Sequence, residues 1–504
     1  MTSGWEQLRA LVALRWTMVR SRHARLGLAA LAACVPLAVA GGALVAQVVP
    51  GGTRFEASLV VPTIYLGFAV LSAVSPLTAG GGNELYPAEQ LVAYPIRPST
   101  HFLTGLAVMP INLAWVSQLV ILTAATSFAL APTPTAPLAV PTMLAYVLLA
   151  TAVGQLGSWL VTGVRQTANG RRAMWALALA VAAAVAVAAR TGRATDVLDA
   201  SPTVRVVVAM VGVSEQRAYG LWAATTATLL LLAAATLYAG RAACAWALTR
   251  PGDAGASREG RPVRPRTARA RTPFRELLAV DRASVWRSAS LRRGALVLGL
   301  LPGLVTFALG VDWSTLLLLP GLVASGAALL FGVNAFCLDA GGAVWLASLP
   351  HDPRLALRSK TWVVAETSLA CVLIAVAAGL LRVQGPPTRA EAYGLACAVV
   401  ATTVSVLGTS MRLSVERPHR ADLRGRRDTP APPGTMAVYS ARMAAQTTFA
   451  GLWVAGSAAT GVAWLPVVAA LPVVLLGLRS LVVSGRLWRD PAKRARVVIT
   501  VAAG

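Results

Sequence analysis

The chain has 504 residues, 56% of them hydrophobic and 13% charged, with a mean hydropathy of +0.65. Soluble domains carry about 25% charged residues, so a water-soluble globular fold is excluded; apolar blocks of about 20 residues instead match the hydrocarbon thickness of a bilayer. The net charge of +25 raises nucleic acid as a partner, a reading that depends on where the charges fall.

In chain order, the first feature is amphipathic. Trp5, Leu8, Leu11, Val12 and Trp16 recur at three- and four-residue steps, with Arg9, Arg15 and Arg20 among them. This spacing predicts a helix lying in the headgroup region, aromatics down and arginines toward phosphate. Apolar blocks follow near 26–48, 57–79, 101–130, 137–163, 173–189 and 220–243. The first is too long for the core of a signal peptide and leads into further spans, so it reads as a retained signal anchor. The stretch 250–273 is rich in Pro, Gly and Arg and holds almost nothing that would build a core, which predicts a disordered linker. A second amphipathic stretch sets Phe274, Leu277, Leu278 and Val285 among Arg275, Arg282 and Arg287, and apolar blocks recur near 294–311, 313–335, 361–381, 391–411, 437–459 and 464–484. The expected fold class is all-α: a polytopic membrane protein of about twelve transmembrane helices. The expected division is 1–249, the linker 250–273, and 274–504.

Charge placement supports this count. With the N-terminus inside and every block crossing, only Arg54, Arg190, Arg193, Arg205, Arg217, Arg382 and Arg389 fall outside; every other Arg and both lysines, Lys360 and Lys493, fall inside. The positive-inside rule therefore accounts for the net charge without nucleic acid. It predicts a bacterial inner membrane protein with both termini in the cytoplasm. Anionic lipid remains a natural partner for the basic face. Cys34, Cys244, Cys337, Cys371 and Cys397 stand singly, as do His23, His101, His351 and His419, so neither a disulfide framework nor a metal site is indicated.

The two halves match. At one constant offset Leu11, Arg15, Arg20, Ser21, Arg25 and Gly27 meet Leu278, Arg282, Arg287, Ser288, Arg292 and Gly294. At a slightly smaller one Leu91, Pro95 and Pro98 meet Leu346, Pro350 and Pro353, and Glu84 meets Asp339. An even number of spans per half makes the repeats parallel, with a pathway between them along the membrane normal.

No P-loop is present, since neither Lys360 nor Lys493 follows a glycine, and no GxSxG, HExxH or paired-carboxylate constellation appears. Enzymatic chemistry is not expected. The informative segments are the loops after the second span of each half, NELYPAEQLVAYPIRPSTHFLTG and CLDAGGAVWLASLPHDPRLALRSK. Each is a short apolar stretch ended by Leu-x3-Pro-x2-Pro, and the prolines end the helix and force extended turns. A short helix held between rigid turns suits docking into a partner's groove; a single such loop would read as mere punctuation, but two at matched positions favour docking.

On these residues the chain resembles the permease subunits of ABC-2-type (type V) ATP-binding-cassette exporters. The pattern of an interfacial helix, six spans and a coupling helix between spans two and three occurs twice, as a fused pair. The resemblance implies contact with a separate ATPase, a dimer, through Glu84, Tyr94, Pro95, Arg97 and Pro98 in the first half and Asp339, Leu349, Pro350, Asp352, Pro353 and Arg354 in the second. It implies that this chain binds no cofactor, ATP and Mg residing on the partner, and that the cargo is exported. In that family re-entrant helices precede the sixth span; Pro202–Val213 fills that place in the first half, and the second half has little room for one.

Intramembrane polar residues are few. Glu366 and Arg442 sit just inside their spans, placed to snorkel or to pair with each other, and an intramembrane carboxylate is also a functional candidate. Gln118, Gln155, Asn334 and Gln446 either join helices or line a path. The leading expectation is an exporter permease for an amphipathic or hydrophobic cargo such as a drug, natural product, lipid or peptide. An ion-coupled secondary transporter with two six-helix halves is the alternative, for which Glu366 is the nearest candidate. A membrane glycosyltransferase is a third reading, disfavoured because the outside acids are scattered.

Overall fold

The computed structural model describes residues 4–18, 22–49, 59–78, 96–109, 113–130, 136–167, 169–193, 199–249, 272–419 and 433–503, together with position 196. Among the described residues the secondary structure is helical, with no strand. Seven stretches are long and apolar enough to cross a membrane: Ala136–Arg165, Tyr219–Leu248, Leu291–Leu309, Trp313–Leu330, Pro353–Leu380, Arg389–Glu416 and Leu465–Arg489. Shorter apolar stretches at Ala33–Val48, Val61–Ala73, Gln118–Leu130 and Arg172–Ala188 accompany them. Helices satisfy their own backbone groups, which hydrocarbon cannot do, and the chain is a polytopic α-helical membrane protein.

The residues form two compact units, one of Met1–Val181 and Thr195–Gly260, the other of Ala182–Ala194 and Arg261–Gly504. The first contains α1 (Gly4–Met18), α2 (Arg22–Val48), α3 (Val61–Thr78), α4 (Pro98–Ala107), α5 (Leu113–Leu130) and α6 (Ala139–Arg165). After α7 (Gly170–Arg190) come its α8 (Pro202–Glu215) and α9 (Tyr219–Leu248). The second unit contains α10 (Pro273–Arg287), α11 (Ala289–Leu309), α12 (Leu319–Phe331), α13 (Gly342–Ser348) and α14 (Pro353–Leu380). It continues through α15 (Arg389–Glu416), α16 (Pro433–Ala459), α17 (Leu465–Arg489) and α18 (Pro491–Ala502).

Most helix bounds fall where the periodicity puts them; two blocks differ. The block 101–130 is not one helix: α4 stops at Ala107 and α5 starts at Leu113, and the sequence between them holds Pro110, a residue that helix interiors disfavour. The block 313–335 is likewise divided into a single turn at Trp313–Leu316, α12 beginning with Pro320 in its first turn, and a 3-10 turn at Gly332–Asn334. The segment expected to be re-entrant is a helix, α8, and it packs against α3, α6 and α9.

In the first unit α2 packs on α5 and α6 on α9. The Ser127 hydroxyl donates to the Val39 carbonyl at 2.6 Å, and Thr142 and Thr226 share a buried hydrogen bond of 2.7 Å. Tyr65, Phe68, Leu122, Met143, Tyr146 and Met210 form the core, where the Tyr146 hydroxyl donates to the Tyr65 carbonyl at 2.5 Å. In the second unit α11 packs on α14 and α15 on α17, around a core that includes Leu316, Val323, Val372, Val406 and Met443. Lipid tails are as apolar as leucine, so these contacts rest on close fit and buried polar pairs. One close backbone approach is at Gly408 of α15, where a Cβ would stand 2.3 Å from the Gly477 carbonyl oxygen of α17. Gly408→Val should therefore force α15 and α17 apart and lower stability by about 1–3 kcal/mol. A reduced thermal unfolding midpoint in detergent is the expected result, while the same change at Gly456, which has open space around it, should leave the midpoint nearly unchanged.

Candidate functional site

The segment between α12 and α14 of the second unit concentrates the buried charge and the exposed apolar surface expected of a functional site. It begins with the 3-10 turn, where the Asn334 side-chain amide donates to the His419 carbonyl at 2.6 Å. Ala340 adopts a left-handed conformation at φ 43°, which turns the chain into α13. Asp339, just before this turn, is tied to α14 through the ammonium of Lys360. The same ammonium donates to Asp281 of α10 at 2.6 Å, and the neighbouring Ser359 hydroxyl also donates to Asp281. Lys360 is 6% exposed, Asp281 10% and Asp339 17%. Burial pushes the Asp339 carboxyl above its ordinary range, opposed by the facing lysine. Three separate elements are thereby joined at one ammonium.

The exit of the segment is equally constrained. Leu349 is extended at ψ 144°, and Asp352 caps α14 by accepting from the Arg354 N–H at 2.9 Å, with Pro353 in the first turn. Both features match known helix-start chemistry. Trp488, at the end of α17, donates its indole N–H to the Pro353 carbonyl at 2.7 Å. Its ring stacks on Phe336 at 4.7 Å between centroids and 8° between planes. One side chain thus grips both ends of the segment. The amphipathic α18 packs along α13, burying Val497 and Val501. Between them is a cavity of about 90 Å³ lined by residues including Phe336, Ala343, Leu346, Trp488, Val497 and Val501.

α13 has two apolar faces. Ala343 is buried and Leu346 packs inward; on the other side Val344 and Trp345 are exposed, Trp345 at 67%, while Leu349, also exposed, lines the cavity. Asp352 and Arg354 beside them are exposed, and Pro350 is exposed as well. This face is capable of docking, not of covalent chemistry. Among the described residues no group of three or more His, Cys, Asp or Glu is placed to hold a metal ion.

In the first unit Glu84, Tyr94 and Pro95 lie outside the described residues. Arg97 precedes α4 as its cap residue without a side-chain cap bond, and Pro98 opens the helix. The Gln7 side-chain oxygen of α1 accepts from the Arg97 N–H at 3.4 Å and from the Thr100 hydroxyl at 3.3 Å. The Pro98 carbonyl accepts from the Cys244 thiol of α9 at 3.3 Å. So the second proline of each Leu-x3-Pro-x2-Pro offers its carbonyl to a side chain on the last long apolar helix of its own unit.

The intramembrane candidates separate. Glu366 does not pair with Arg442: both Nε and an Nη of Arg282, on α10, donate to one Glu366 oxygen at 2.9 and 2.7 Å, and Arg442 is exposed. The reason is proximity, since α10 packs directly on α14. That pair is about half exposed and is worth little in stability. Gln446 joins α16 to α15, accepting from Thr409 at 3.2 Å and donating to the Ser405 hydroxyl. Gln155 is buried on α6, its side-chain oxygen 3.3 Å from where a Cβ on Gly105 would stand. Gln118 is half-buried on α5.

Sequence reasoning did not single out Asp281, Ser359, Trp488 or α18. Two signals were available: Lys360 is one of two lysines in the chain, at the edge of an apolar block, and Asp490-Pro491 followed by Val497 and Val501 is a helix start with an apolar stripe. No family model, curated protein or solved structure matches the chain.

Two stability outcomes follow from the geometry. Lys360→Met leaves two carboxylates buried without a counter-ion and should cost about 3–5 kcal/mol; combining it with Asp281→Asn and Asp339→Asn should recover much of that, measured as unfolding midpoints in detergent. Trp488→Phe keeps the ring on Phe336 but removes the N–H from Pro353, so its expected cost is about 0.5–1.5 kcal/mol, against about 3–5 kcal/mol for Trp488→Ala.

Proposed function

We propose that this chain is the membrane permease of an ATP-driven exporter, with two parallel six-helix halves in one polypeptide, about twelve crossings in all. The observation that carries the reading is α13: a two-turn helix fixed from within by Lys360 and Trp488, presenting Val344 and Trp345 outward. A free apolar face on a rigidly mounted element is what a docking helix requires, because little ordering remains to be done on binding. The repeat is supported by equivalent pairings within each unit, α2 on α5 and α6 on α9 in one, α11 on α14 and α15 on α17 in the other. The matched carbonyl bonds at Pro98 and Pro353 support it further.

In this reading both termini face the cytoplasm of a bacterial inner membrane, and a separate P-loop ATPase dimer carries ATP and Mg. Closure of that dimer pushes on the two loops and tilts one half against the other. The cargo is amphipathic or hydrophobic, since the spans offer few charged side chains.

The structure also gives some support to ion-coupled transport, because Asp281 and Asp339 are buried carboxylates. Both face Lys360, in the third turn of α14, near a helix end and tied to a permanent cation, which makes them a better brace than a proton relay. The discriminating experiment is a pull-down of the tagged chain from detergent-solubilised native membranes, with co-purifying P-loop ATPases identified by mass spectrometry. Wild type should bring down such an ATPase, and changing Pro95, Pro98, Pro350 and Pro353 together to Ala should reduce its recovery about tenfold or more, a loss of about 1.4 kcal/mol. Repeated recovery of an intact chain with no ATPase would sink the permease reading and direct attention to proton-driven uptake in vesicles.

A further inference from the structure

The cavity between α13 and α18 combines an apolar floor with a cation at its rim. Phe336, Ala343, Leu346, Trp488, Val497 and Val501 supply the floor of a space of about 90 Å³, the room that about three waters take in the liquid. Water needs polar partners that this floor does not offer, so the space suits methylene groups. Asp339, His351 and Arg494 complete the lining. The Asp339 carboxylate is taken by Lys360, and the His351 Nδ1 lies 3.0 Å from the Leu349 carbonyl. Arg494 differs from both. It is half-buried, one Nη donates to the Trp488 carbonyl at 3.4 Å, and no carboxylate among the described residues forms an ion pair with it. A guanidinium with donors to spare beside an apolar floor selects an anionic head joined to an apolar tail.

The walls also fix the depth of the cavity in the membrane. Pro353 is the first residue of the span Pro353–Leu380, and Trp488 is the last but one of Leu465–Arg489. Two spans reach their ends here, which is headgroup level. α18 has the matching amphipathic form: Lys493 and Arg496 are exposed, and so is Ile499, at 66%. We propose that this cavity binds an anionic phospholipid, its phosphate on Arg494 and the first methylenes of one acyl chain among the apolar side chains of α13 and α18. The site goes beyond the permease reading and stands without it.

The test uses the full chain purified in detergent and titrated with phosphatidylglycerol at about 0.15 M salt, bound lipid being counted by native mass spectrometry. Arg494→Gln should weaken binding about tenfold or more, through loss of a charge-assisted hydrogen bond. Ala347→Leu enlarges an exposed lining residue and should weaken binding about fourfold or more, the equivalent of one methylene returned to water. Lys493→Gln, one residue away and outside the lining, should change it less than about threefold, since a screened surface charge adds little. Phosphatidylcholine should bind more weakly, and glycerol phosphate should not compete. Unchanged thermal unfolding midpoints would verify that the variants are folded. Equal weakening by Arg494→Gln and Lys493→Gln would reduce the site to a diffuse basic surface, and competition by glycerol phosphate would make it a site for soluble anions. Either result, or unaltered binding in Arg494→Gln and Ala347→Leu, would overturn the assignment.

Discussion

An ammonium withdrawn from water is stable only where carboxylates replace its hydration, and this requirement organises the second unit. Lys360 is on α14, Asp281 on the amphipathic α10, and Asp339 on the loop that leads into α13. None of the three can be satisfied unless α10, the loop and α14 meet at one point, so the lock fixes α10 and the loop before α13 to α14 at once. Removing the lysine would strand two buried acids, which costs more than the intact cluster contributes relative to an apolar one. The cluster therefore specifies the arrangement more than it stabilises it. Trp488 complements the lock with a neutral device, bridging Phe336 and Pro353 so that the entrance and exit of the loop move together.

This arrangement suits the mechanical task proposed for the loop. A push delivered to α13 is transmitted directly to α14, through the short turn at Asp352 and Pro353, and to α10 through Lys360. A loosely attached loop would absorb the same push in its own bending. The helices that receive it are joined by close fit, as at Gly408 and Gly477, and by buried polar pairs such as Ser410 with Tyr439 at 2.6 Å. Packed interiors of this kind shift between arrangements as rigid bodies and deform little.

Much of the architecture was legible in the residues because lipid imposes a simple code. Apolar length marks a helix, and α2, α6, α9, α15 and α17 begin and end close to where the blocks do, while α14 begins eight residues earlier, at Pro353. The exceptions fall at prolines, Pro110 between α4 and α5 and Pro320 in the first turn of α12, and both are readable in principle from proline alone. The loop's turns were equally readable from Pro350 and Pro353. The pairing of Glu366 was not, because Arg282 is distant in sequence and nothing in a one-dimensional pattern ranks it above Arg442. Trp488 escaped for the same reason. Its role depends on the end of the last apolar helix arriving beside a loop far upstream in sequence, a fact of packing that no spacing encodes.

The near-absence of lysine has a practical corollary. Of the two in the chain, Lys360 is enclosed by carboxylates, while Lys493 is about half exposed at the start of α18. Amine-directed reagents applied to the folded protein thus meet a single reactive side chain, positioned on the helix that lies along α13. A fluorophore attached there would report on the α13 segment in its native, unmutated context.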